Sequence, residues 1–119
     1  MTNTDLSFHE DELDLLKDLL KVIISSFEQG ACFFVVDLDK ITYKLSHKFD
    51  IAGLDVGAEY SKNGVAAKVV ATGTTATMRL EKHESGIALS ACGGPIWDST
   101  DTKVIGAWVL AQPWLQKAT

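Results

Sequence analysis

The chain contains no apolar run near the roughly 20 residues that a bilayer-crossing helix needs. Its start, MTNTDLSFHEDE, lacks the basic segment and apolar core of a secretory signal. These absences predict a cytoplasmic protein with no membrane partner. Of 11 basic residues only Arg79 is an arginine, and the lysines are spread along a chain whose net charge is −5. Without a clustered basic patch there is no electrostatic footprint for nucleic acid. Cysteine is scarce too: Cys32 and Cys92 each sit in an apolar, strand-like stretch and read as buried free thiols.

Catalytic signatures are missing as well. There is no glycine-serine nucleophile elbow, no phosphate-cradling glycine loop and no His/Cys set with metal spacing. Histidine occurs at His9, His47 and His83 only, and no C-x-x-C-H run marks covalent haem. The expectation is a protein that is not an enzyme and carries no cofactor. A haem or redox sensor is kept as an alternative, with one imidazole on the iron.

What is present is one domain, since 119 residues at 46% hydrophobic content suffice for one core and not for two. Ser7 and Glu10 have capping-box spacing, and Leu13, Leu16, Leu20, Ile23 and Phe27 recur at helical intervals, predicting a helix over about residues 8–29. Leu15, Leu19 and Val22 widen its stripe. The helix therefore either packs on its own sheet alone or also meets a partner subunit, and a homodimer through this helix is expected.

CFFVVDL and ITYKLSHKF read as a hairpin turning at Asp39-Lys40, and residues 50–63 read as an irregular loop broken by Gly53 and Gly57. GVAAKVVA suits a short helix stopped by Gly73. TATMRLEKH alternates as a third strand. The last hairpin pairs Ile87 to Ile96 with Val104 to Leu110 across Asp98, Ser99, Thr100 and Asp101, and Gly93-Gly94 marks a bulge or a close approach. The predicted fold is α+β: a five-stranded antiparallel sheet over about residues 31–112 with its first strand central, the long helix on one face, and the loop and short helix on the other.

FFVVDLDKITYKLSH, GVAAKVVATG and GGPIWDSTDTKVIGAWVL together resemble the PAS-like sensory domains of the Cache type, over about residues 10–113. Pro95-Ile96, Asp98 and Val104-Ile105-Gly106 match the family's last hairpin. Lacking membrane helices, the chain resembles the N-terminal sensory region of soluble methyl-accepting chemotaxis receptors. The resemblance implies a small-molecule-binding domain, with residues 113–119 starting a linker to a signalling helix. Roadblock-type scaffolds share the order of elements and would bind no ligand, but they carry a longer middle helix, as do the haem-binding relatives of the glycolate-utilisation proteins.

In carboxylate-sensing members an Arg-x-x-His run holds the ligand, and Lys44 and His47 stand at the matching place. A second family arginine is replaced by Ala91. An anionic ligand near Lys44 and His47 is the expectation that follows. Arg79 would assist if it points inward, or would pair with Glu81 outside. Ser90, Cys92 and Trp108 either line the cavity, with Tyr60 or Tyr43 adding a hydroxyl, or belong to the core. His83 reads as solvated.

Overall fold

The computed structural model describes residues 10–51, 53–60, 62–80 and 89–113. Its first helix, α1, runs Glu10–Ser25, so the expected Ser7 cap lies outside the described residues. The helix stops short of residue 29 because its last turn tightens. Ser26 and Phe27 donate their amides to Ile23 and Ile24 three residues back, and the hydroxyls of Ser25 and Ser26 take the carbonyls of Val22 and Ile23. Such local side-chain bonds compete with helix propagation.

The apolar stripe divides in two. Ile24 is buried with Leu20 and Phe27 half-buried beside it, at i, i+4 and i+7 spacing, while Leu15, Leu19 and Val22 point to solvent.

The sheet comprises β1 (Ala31–Val36), β2 (Ile41–His47), β3 (Ala76–Leu80), β4 (Leu89–Trp97) and β5 (Val104–Pro113), with α2 (Val65–Thr72) between β2 and β3. Its order is β2-β1-β5-β4-β3 and every pairing is antiparallel. The β-branched and aromatic run of β1 lies second from the edge, and β5 occupies the centre. The α+β class and the five-stranded antiparallel sheet are as predicted, but the first strand is not the central one: β5 inserts between β1 and β4 and pairs with both. Glu81, His83 and Ile87 lie outside the described residues, so the expected full lengths of the third and fourth strands extend past what is seen.

Alternation assigns two faces. Cys32, Phe34 and Val36 of β1 lie opposite Ala111, Val109 and Ala107 of β5 and look toward α2. With Val65, Ala66 and Val69 from α2, Ile41 from β2 and Ile51 from the segment that follows it, they form the core. The eight-residue α2 ends as its sequence predicts. Gly73 adopts φ 68°, a left-handed conformation cheap only for glycine, and donates its amide to Val69 O at 2.8 Å.

The opposite face is sparsely covered. Its residues Phe33, Val35, Tyr43, Leu45, Cys92, Ile96, Trp108 and Leu110 are all half-buried. Phe33 stacks on Trp108 with centroids 6.5 Å apart and meets Tyr43 edge-on at 6.4 Å. The α1 helix reaches this face at β1 and β2, with the Lys17 ammonium 5.1 Å from the Tyr43 ring.

Two close approaches set the spacing of these layers. A Cβ at Gly93 would sit 2.8 Å from Val65 of α2, and one at Gly94 would sit 2.8 Å from the Trp108 indole nitrogen. Gly106 faces the Val36 carbonyl with no room for a Cβ at all. The last hairpin turns on Asp98, whose carboxylate accepts the Thr102 amide at 2.8 Å and the Thr102 and Thr100 hydroxyls at 2.9 and 3.2 Å.

No helix among the described residues is long and apolar enough to cross a membrane.

Candidate functional site: an apolar pocket under the 50s loop

Small residues on the α2 face of β4 and β5 leave a space that α2 and the segment after β2 do not fill. Ala91 and Ala111 lie side by side in the β4–β5 ladder, with Met78 next to Ala91 on β3 and Val109 one step along β5. Above them stand Ile51 and Leu54 from the loop, Tyr60, and Val65 and Ala66 from α2. The result is a partly open pocket of about 140 Å³ whose walls also include Phe34 and Leu89.

The roof is fastened by β2. The Lys44 ammonium, its side chain only 10% exposed, is ion-paired to Asp50 and to Asp55 at 3.3 Å, and donates to the Ile51 carbonyl at 3.1 Å. Backbone bonds continue the attachment, from Ile41 N to Ala58 O at 2.9 Å and from Gly57 N to Ile41 O at 2.8 Å. Burial pulls the Lys44 ammonium toward deprotonation, but the hydrogen bonds to Asp50 and Asp55 and the charge of Asp50 outweigh it and its pKa ends above the usual lysine range. The Lys44 bond in turn holds Asp50 below the ordinary carboxylate value.

Ser46 and Cys32 complete this cluster: the Ser46 hydroxyl donates to Asp50 at 3.1 Å and lies 3.6 Å from the Cys32 sulfur. Burial pushes the Cys32 thiol up despite the Ser46 contact, which describes an inert cysteine.

The residues singled out in the sequence are dispersed. Lys44 and His47 are three apart on one strand, so they project from opposite faces and cannot grip one ligand. Lys44 already has three partners, and His47 lies on the sparsely covered face. Arg79, Ser90, Cys92 and Trp108 share that face, because Arg79 pairs with Ser90 across β3 and β4 and Trp108 lies over Gly94. They form a surface together, but on the side of the sheet away from the pocket. Cys92 is half-buried where a buried thiol was expected.

Of the seven, Tyr60 alone lines the pocket. Its hydroxyl donates to the Leu38 carbonyl at 2.9 Å, and burial with the charges of Asp37 and Asp39 raises its pKa.

On the other side of Tyr60 lies a larger, partly open pocket of about 680 Å³, bordered by Lys40 and Lys62 but also by Asp39 and Glu59, so its charges offset. No group of three or more His, Cys, Asp or Glu side chains with metal-holding placement occurs among the described residues. His47 points away from the pocket, and His9 and His83 lie outside the described residues. The reading of the residues missed Met78, Ala66 and Ala111, whose signal was modest: small or flexible residues at alternating positions where a packed sheet usually carries branched ones.

Comparison with models of known protein families and with curated proteins finds no match to this chain.

Proposed function

We propose that this chain is a small-molecule-sensing domain of a cytoplasmic signal transducer, of the PAS-like Cache type found in soluble methyl-accepting chemotaxis receptors, with no catalysis of its own. The observation that carries this is the floor of the pocket. Val109 and Ala111 belong to β5, the central strand, so whatever occupies the pocket bears directly on the element that leads into residues 114–119. Beside the packed α2, part of the roof is a loop tied to β2 by the Lys44 contacts and a few backbone bonds, and such a loop suits entry and closure. The resemblance of both hairpins to those of Cache domains favours the same reading.

A homodimer through α1 belongs to the proposal. Leu15, Leu19 and Val22 are 71, 54 and 68% exposed, an apolar surface that a lone domain rarely displays on one helix.

A thermal-shift screen tests the sensing role. A ligand at 100 times its Kd should add about 2.7 kcal/mol of stability, a rise on the order of 10 °C for a domain of this size. A broad library that moves neither the melting temperature nor the amide resonances of Val65 and Ala111 would refute it.

A further inference from the structure

We propose that the pocket takes an uncharged, mainly apolar molecule of about the size of one aromatic ring, and not the anion that the sequence led us to expect. The inference rests on the sensing reading above and specifies its ligand. Size sets the first limit. A space of about 140 Å³ is comparable to the cavity of roughly 150 Å³, lined by aliphatic and aromatic side chains, that stays dry and admits benzene.

Chemistry sets the second. The described lining residues include no charged side chain, and the Tyr60 hydroxyl is committed to the Leu38 carbonyl. A carboxylate placed here would lose its hydration without gaining a partner, a cost far larger than apolar contact returns.

The nearest cation does not relieve this. Lys44 is absent from the lining and spends its ammonium on Asp50, Asp55 and the Ile51 carbonyl. Those two carboxylates stand at the roof, and the chain has a net charge of −5, so the local field opposes an incoming anion. A flat aromatic molecule fits the walls better than a branched aliphatic one. Phe34 and Tyr60 offer ring contacts, and the flexible Met78 thioether adapts to a ring edge.

The test titrates the chain with toluene and with benzoate, molecules of the same ring size that differ in charge, and follows the amide resonances of Val65, Ala66 and Ala111. Toluene should give saturable shifts there, with benzoate at least tenfold weaker. Ala91→Leu and Ala66→Leu each fill the pocket from a different wall and should weaken toluene more than tenfold; two variants are used because either alone can perturb folding, and each is checked for native dispersion.

Benzoate binding in the pocket as tightly as toluene would overturn the uncharged class and leave the sensing role standing. Unchanged toluene affinity in both folded variants would overturn the site. If neither probe binds while the library screen yields ligands, the ligand class is wrong; if the screen also yields none, the sensing reading falls with it.

Discussion

Gly106 separates two reasons for a glycine in a way that stability measurements can read. Its backbone angle is ordinary, since the positive-φ glycines are Gly30, Gly53, Gly57 and Gly73. What forbids a side chain is proximity: a Cβ would press into the Val36 carbonyl oxygen, with Val36 C at 3.3 Å and Asp37 Cα at 3.4 Å. All three are backbone atoms of β1 and its end, so no rotamer change relieves the clash and β1 must move off β5 where Val36 pairs with Ala107.

Gly106→Ala should therefore cost about 3 kcal/mol, the upper part of the overpacking range, or a fall in Tm on the order of 10 °C. Gly53→Ala is the control. That glycine has φ +85° but nothing within 4 Å of a built Cβ, so only the left-handed strain of about 1 kcal/mol applies. Urea unfolding followed by circular dichroism at fixed protein concentration measures both. A Gly106→Ala variant within 1 kcal/mol of the parent, or one less damaged than Gly53→Ala, would refute the argument from proximity.

Three other predictions concern α1, the roof and the thiols. Leu15→Glu with Leu19→Glu should convert a dimer to a monomer in analytical ultracentrifugation while leaving the sheet's circular dichroism unchanged, and a parent chain that is monomeric at high concentration defeats the α1 interface. Asp50 has a folded pKa below its unfolded value, so its contribution is present above the carboxylate range and is lost as pH falls through and below about 4. Lys44, raised instead, loses its contribution only as pH rises past about 10.4. Lys44→Met should accordingly flatten the acid limb of a Tm-versus-pH curve and speed amide exchange at Leu54; parallel curves for both proteins would dissociate Lys44 from the roof. Cys32 should react with iodoacetamide no faster than the chain opens, well behind Cys92, and equal rates in the native state would contradict its burial.

The order of elements, the Gly73 stop and the Asp98 turn were all legible in the residues, because each depends on local chemistry or on a period that alternation makes visible, whereas the central place went to β5 and not to the expected first strand, since strand order is set by long-range pairing. The site was less so. Lys44 and His47 look like a pair in one dimension, yet their odd spacing on a strand already separates them, and a stricter use of alternation would have shown it. That Lys44 is consumed by Asp50 and Asp55 depends on how residues 50–58 fold back over β2, a tertiary matter. The exposure of Leu15, Leu19 and Val22 was legible as a widened stripe, while its division into a sheet-facing set and an outward set needed the helix to be docked. The pocket was hidden for a different reason. It arises from alanines at Ala66, Ala91 and Ala111 coming from three elements, and no single stretch of sequence displays a shared vacancy.

The Gly93–Gly94 pair makes the sheet thin at one spot. On one side Val65 rests against the strand next to the pocket, and on the other the Trp108 indole rests against it in the opposite layer. With no side chain on either residue, only a peptide lies between Val65 and the Trp108 indole here. A displacement of α2 of a few tenths of an ångström is therefore felt by Trp108 with little cushioning, which makes its fluorescence an intrinsic reporter of the other side of the sheet. Thermodynamic reciprocity adds the converse: if occupancy of the pocket alters association at Trp108 and its neighbours, that association alters affinity in the pocket by the same factor.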